Sequence, residues 1–363
     1  MSLTEPARSI GQERVLVDIG VPTLGTSPYL IETIESVFAQ TLHEWRLVIV
    51  ENGPGLQSVR EELQPYLDDP RVRHVTTGAV IGRAENWTNL IRTGSAPYHA
   101  LLHDDDRWGP EYLERRVEFL EENENCGFVF SGYTVIDSDG LPIAKSDLGL
   151  EEGVHSSSVM LPALYKRMFI GAPTIVVRRA SYEAVGQEYK PIFFTDNEMW
   201  MRLAANFDVG YLSTWDAFYR FHTLQDSSER TDLAKESLAV LDAVEDLPVP
   251  RQVRNAVRAE VYTWLAFDAI ERGDRPEAFR HLASSVQTAS FGVVRPAIAG
   301  RLLAGYAALG LGERGRRALA DLREGRWRSR RRRGVSYAAQ MTPIDSTADT
   351  VVGSDERPAH SVR

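Results

Sequence analysis

Up to about residue 230, short apolar runs of strand length alternate with stretches whose apolar residues recur at helical spacing. VLVDIGV (15–21), LVIV (47–50), a stretch around Val72–Val75, YHALL (98–102), CGFVFSG (126–132), TIVV (174–177) and VGYL (209–212) read as buried strands. Between them, Pro28 opens a helix with Leu30, Ile34, Val37 and Phe38 on one face, and a polar helix follows LVIV. Further helices are predicted through Asn86–Ile91, after Pro110 (Leu113, Val117, Leu120), near 180–186 and from about Asp196 to Asn206. Such alternation predicts βαβ units: an α/β, Rossmann-like, mostly parallel sheet with helices on both faces.

The segment 137–170 is loop-rich, and from about 231 to 325 the pattern turns helical, with Gly273-Asp274 as a turn between two helices. Residues 335–363 are Ser/Thr/Asp-rich and are expected to be disordered. The expected organisation is an extension at 1–13, an α/β domain at 14–228, a helical region at 229–325, and a basic cluster with a tail at 326–363.

Composition narrows the function. The net charge is −10, although six arginines crowd into Arg326–Arg333, so the rest of the chain is more acidic still. An acidic body argues against nucleic acid as a partner, because phosphate contacts need a basic face. The lone Cys126 excludes an internal disulfide, no apolar run of about 18 residues exists, and the N-terminus lacks a secretory apolar core. Together these point to the cytoplasm. The arginine cluster is read either as a solvated basic tail or as a peripheral contact with the anionic inner face of a membrane.

Candidate chemistry centres on Asp104, Asp105 and Asp106 directly after the strand YHALL. Ligands of open α/β sheets sit beyond the carboxyl ends of strands, and carboxylates there can hold a hard divalent cation that neutralises phosphate oxygens. Acidic triplets also occur as solvated loops; the strand before and Trp-Gly-Pro after favour the site. Asp196 and Glu198 open a helix, where capping and the dipole would explain them without any function. His222 closes YRFH (219–222), and a lone histidine is more often structural than a ligand.

The order of these pieces changes their weight. IGVPTLGTSPYLIETIESVFAQTLHEWRLVIVENG, IGRAENWTNLIRTGSAPYHALLHDDDRWGPEYL, TIVVRRASYEAVGQ, TDNEMWMRLA and YRFHTLQDSS resemble, in sequence, the landmarks of family 2 glycosyltransferases with the GT-A fold over about residues 14–226. The resemblance implies that Asp105 and Asp106 bind metal and donor diphosphate, with Asp104 beside the ribose or metal. His103 stands where the family has its first aspartate. Pro22 and Thr23 would line the nucleobase pocket, and Glu51, with Asn52, replaces the usual aspartate pair that accepts from the base. Arg83 and Asn86 match a donor-binding segment. Asp196 matches the catalytic base, Thr195 replaces the preceding glutamate, and Glu198 is the fallback base. Trp200 is read as core, Arg202 as a partner of a carboxylate, and His222 as a contact of metal or diphosphate.

The implied activity moves a sugar from a nucleotide-diphosphate donor to an acceptor hydroxyl by metal-assisted inverting displacement, with Mn²⁺ or Mg²⁺ as cofactor. The acceptor would be a polysaccharide, lipid-linked glycan or small-molecule glycoside, and an apolar face of the C-terminal helices could serve a homodimer. A sugar-phosphate nucleotidyltransferase ranks lower, since VPTLGTSPYL carries no Arg or Lys for a phosphate loop. Glycoside hydrolysis by paired carboxylates has no need of an aspartate triplet at a strand end. The altered Glu51-Asn52, His103 and Thr195 keep open a degenerate homologue that binds a nucleotide sugar or a partner without turnover.

Overall fold

The first apolar run is buried along almost its whole length and forms β1 (Val17–Thr23) in the computed structural model, which describes residues 14–222, 233–289 and 341–343. There follow α1 (Leu30–Phe38), β2 (Trp45–Glu51), α2 (Gln57–Leu67), β3 (Val72–Thr76), α3 (Arg83–Thr93) and β4 (Tyr98–Leu101). β1 pairs in parallel with β2 on one edge and β4 on the other, and β3 adds in parallel outside β2. α1 buries Leu30, Ile34 and Val37, three of the positions its periodicity selects, while Phe38 packs edge-on against Trp45.

The chain continues through β5 (Arg107–Trp108), α4 (Tyr112–Glu122), β6 (Cys126–Ile136), β7 (Pro142–Ser146), β8 (Gly153–His155), α5 (Ser157–Lys166), β9 (Val176–Arg178), α6 (Arg179–Val185), α7 (Thr195–Asn206) and β10 (Asp208–Arg220). The sheet is mixed α/β in character. Its β4-β1-β2-β3 half is parallel as expected, whereas β9 inserts antiparallel between β4 and β6, and β7 pairs antiparallel with β6. Rather than remaining loop, 137–170 folds as the hairpin partner β7, the short β8 and α5, and this path brings β9 back antiparallel to β6. VGYL opens a strand three times as long as its apolar core suggests: it pairs with β6 and β8, and β10 then continues past a register shift between Leu212 and Ala217 to run beside β6 and β5.

α8 (Leu233–Ala243), α9 (Arg251–Arg272) and α10 (Arg275–Thr288) make up the described helical region. Val240, Leu241, Val261 and Leu265 join the same apolar cluster as Trp200 of α7 and Leu161 of α5, so α8 and α9 share the core of the sheet domain, whereas Ala278 of α10 packs with Phe267 and Ile270 of α9. Gly273 adopts φ 83° and ends α9, while Asp274 caps α10 by accepting from the Glu277 N–H at 2.9 Å. Within the segment expected to be irregular, β11 (Met341–Pro343) pairs antiparallel with β7. Residues 1–13, the boundary near 228 and the cluster Arg326–Arg333 lie outside the described residues. Among the described residues no helix is long and apolar enough to cross a membrane.

Candidate active site

β1 extends to Thr23, but its pairing with β4 stops at Gly20–Leu101. Pro22, which has no N–H to give a ladder, sits beyond that last pair. From β1 the chain passes through α1 to β2 on one side, whereas β4 lies on the other, so a crevice opens beyond the carboxyl ends of β1 and β4 where the strand order reverses.

The aspartate triplet fills this crevice. The Leu102 N–H donates to Gly20 O at 3.0 Å, and the Asp106 N–H donates to His103 O at 3.2 Å, closing a turn over 103–106. Asp104 faces the loop after β1: the Thr23 hydroxyl donates to its Oδ2 at 2.5 Å and the Ser27 hydroxyl to its main-chain carbonyl at 2.7 Å. Gly25, at φ 74°, allows that loop to fold back so that its N–H donates to Thr23 Oγ1 at 2.9 Å. Asp105 Oδ2 lies 3.0 Å from His222 Nε2, whose ring packs against Tyr29 with centroids 5.2 Å apart.

Asp106 is 1% exposed. Its Oδ1 accepts from the Arg220 N–H at 2.9 Å and its carbonyl from the Thr33 hydroxyl at 2.7 Å, while its buried Oδ2 takes no hydrogen bond. Burial and the neighbouring Asp105 charge hold the Asp106 carboxyl well above the usual range, and burial pushes Asp104 up to about 6. Carboxylates crowded in this way are stabilised by a counter-cation. His103, Asp105 and Asp106 each offer a ligand atom within 4.8 Å of the others. That grouping, with the unbonded Asp106 oxygen, fits a divalent cation.

Buried Arg220 ties the loop down. Its Nε donates to Asp105 O at 2.8 Å, Nη1 reaches Asp137 O at 3.2 Å, and Nη2 pairs with Glu32 Oε2 at 2.5 Å. Glu32, in the first turn of α1, is also held by Arg107 at 2.5 Å. The sequence reading missed Glu32 and Ser27, since a first-turn acid and a loop serine are ordinary helix-start residues.

On the other wall, half-buried Asp196 at the start of α7 accepts from the Asn197 N–H at 2.8 Å. Burial raises its carboxyl, opposed by the Asn197 N–H and by the Arg83 and His103 charges. Arg83 Nη2 donates to Phe193 O at 2.5 Å, and its guanidinium lies over the rings of Phe193 and Trp87 at 4.8 and 5.6 Å. Asn86 is buried with an Oδ1 that takes no hydrogen bond. Thr195 spends its hydroxyl on Lys190 O at 2.7 Å.

Glu198 does not share this wall. It is fully buried, and its Oε1 lies 2.8 Å from Arg202 Nε, so helical spacing turns it into an internal ion pair. Arg202 also donates to the carbonyls of Val185, Gly186 and Glu188, fixing the start of α7 against the end of α6. Trp200 is 1% exposed, as its reading as core requires.

Glu51 and Asn52 are likewise committed to the fold. Glu51 is 1% exposed, accepts from the Leu56 N–H at 2.6 Å and lies 3.1 Å from His74 Nε2. Asn52 exchanges two hydrogen bonds with the main chain of Ile81, at 2.9 and 2.8 Å, and so closes the loop leading into α3. This pair shapes the crevice, and both carboxylate oxygens of Glu51 already have partners.

Residues 18–186 match the sequence profile described as Glycosyl transferase family 2. TuaG of Bacillus subtilis (strain 168), whose name assigns it to teichuronic acid biosynthesis, is 27% identical over 237 residues, covering 64% of this chain and 89% of that protein. An Escherichia coli protein named UDP-Glc:alpha-D-GlcNAc-diphosphoundecaprenol beta-1,3-glucosyltransferase is 23% identical over 164 residues, covering 45% of this chain and 60% of its own length. The fold is similar to that of S. aureus TarS 1-349 in complex with UDP-GlcNAc, with a TM-score of 0.62 and 13% identity, covering 83% of this chain and 92% of that one.

Proposed function

We propose that this chain, a family 2 glycosyltransferase with a GT-A fold, carries a sugar from a nucleotide-diphosphate donor to an acceptor hydroxyl with inversion at the anomeric carbon. One observation supports the donor site above all: the buried, unbonded Asp106 Oδ2 beside Asp105 and His103 at the carboxyl end of β4. The TarS structure is a complex with UDP-GlcNAc, and a second structure of similar fold, a Pyrobaculum calidifontis mannosyltransferase (TM-score 0.50, 15% identity, covering 85% of this chain and 84% of that one), is a complex with GDP-Man and Mn²⁺.

Asp105 and Asp106 would hold the divalent cation, with His222 at its diphosphate side, and the cation would stabilise charge on the leaving diphosphate. Arg220 and Thr33 keep Asp106 in place from behind. Asp104, gripped by Thr23, would face the ribose, and Pro22 and Thr23 would wall the base with their main chain. Arg83 and Asn86 would orient the donor from α3. Asp196 would take the acceptor proton at its carboxylate, since burial makes it a better base than an ordinary aspartate. The acceptor belongs to the class of polysaccharides, lipid-linked glycans or small glycosides.

Calorimetric binding of UDP, GDP and dTDP, each with and without Mn²⁺, to the wild type and Asp106→Ala tests this reading. Metal-dependent binding of one nucleotide, lost in the variant, is the expected result. Binding of none would overturn it, and tight binding with no transfer to any acceptor would favour a homologue that binds without turnover.

A further inference from the structure

We propose that His103 is a nitrogen ligand of the donor-site cation and biases that site towards a transition metal over Mg²⁺. The inference rests on the cation reading above and adds a ligand of a different chemical kind.

Two features place the imidazole. The turn closed by the Asp106 N–H on His103 O throws both side chains to the same side, with His103 Nδ1 3.8 Å from Asp106 Oδ2. Two ligands about 2.1 Å from one octahedral ion lie roughly 3 Å apart when adjacent and about 4.2 Å when opposed, so the observed separation is one that a shared ion can bridge. The Trp87 ring packs against the His103 ring with centroids 5.2 Å apart and planes 31° from parallel, which limits the imidazole to few orientations. Asp106 Oδ2, wholly buried and without a hydrogen bond, is aimed into the same space.

The chemistry gives the consequence. An all-carboxylate set suits Mg²⁺, Ca²⁺ and Mn²⁺ alike, whereas an imidazole favours ions later in the divalent series and adds little for Mg²⁺. His222 is the competing nitrogen, but its Nε2 is held on Asp105 Oδ2 at 3.0 Å and its ring against Tyr29.

Pulsed electron paramagnetic resonance of Mn²⁺ bound to the full chain, with UDP, GDP or dTDP present, reads the ligand directly through ¹⁴N coupling. The expected result is coupling in the wild type and in His222→Gln that disappears in His103→Gln. In His103→Asp, which keeps a ligand but changes its kind, the excess of Mg²⁺ needed to displace half the Mn²⁺ should fall by about tenfold or more. Mn²⁺ bound without ¹⁴N coupling, or coupling lost only in His222→Gln, overturns the role of His103 and leaves the cation reading standing. No Mn²⁺ bound with UDP, GDP or dTDP overturns both.

Discussion

The Arg220 N–H donates to Asp106 Oδ1 at 2.9 Å across 114 residues of sequence, so the end of β10 holds the carboxylate that follows β4. The guanidinium of the same residue grips Asp105 O and Glu32, which makes Arg220 a positioning residue for the whole aspartate loop. Replacing Arg220 by Lys keeps a charge but cannot serve these partners together. The variant should bind Mn²⁺ with nucleotide about 10–100-fold more weakly. An unchanged calorimetric Kd would remove this role from Arg220.

Asp196 and Glu198 separate by their surroundings. Asp196→Asn should lower transfer by roughly 10²–10⁴-fold while donor Kd stays near the wild-type value, as removal of a proton acceptor requires. Glu198→Gln takes one partner from a buried ion pair and should cost about 3–5 kcal/mol of stability, read from the urea midpoint. If the loss of turnover per folded molecule were greater for Glu198→Gln, the base would be misassigned.

Asp18, 2% exposed, joins three elements: its Oδ1 pairs with Arg46 at 2.6 Å, and its Oδ2 pairs with Arg179 at 2.7 Å and accepts from the Ala96 N–H at 2.7 Å. Asp18→Ala leaves the buried Arg179 without its counter-charge. Unfolding should become easier by about 3–5 kcal/mol. A shift in the denaturation midpoint worth under about 1 kcal/mol would show that Arg179 is satisfied by its carbonyl partners alone.

His99 is buried against Tyr182, and burial, helped by the Arg179 charge, lowers its pKa to about 3. The unfolded chain takes up a proton near pH 6.5 that the folded chain refuses, so this group's share of stability is complete above that pH and is lost as pH falls towards about 3. His99→Phe should flatten the acid limb of stability by up to about 1.4 kcal/mol per pH unit within that window. Parallel acid limbs for the two proteins would show that His99 does not titrate there.

Much of the scaffold was legible because burial on both faces writes itself into the sequence as continuous apolar runs: VLVDIGV, LVIV and YHALL became three adjacent parallel strands. The triplet after YHALL was legible as a site for the same reason, since a charged run straight after a buried strand must lie beyond that strand's carboxyl end. TIVV misled by two residues, because Ala172–Thr174 turn before β9 begins at Val176. Arg202 was legible as a carboxylate's partner because it lies one helical turn from Glu198, whereas nothing near Glu51 in sequence announces the His74 it engages from β3.

The sequence by itself determined most of the strands and helices of the parallel half of the sheet, where the acidic loop falls, and which family the chain resembles, because hydrophobic period and motif order are local properties of the chain. Tertiary structure alone decided which carboxylates share a space. Thr23 reaches Asp104 across 81 residues and His222 reaches Asp105 across 117, and these contacts follow from strand order and register. Side chains acquire their charge states and partners from neighbours brought in by packing, and β10, running parallel beside β6, supplied Arg220 and led to His222 here.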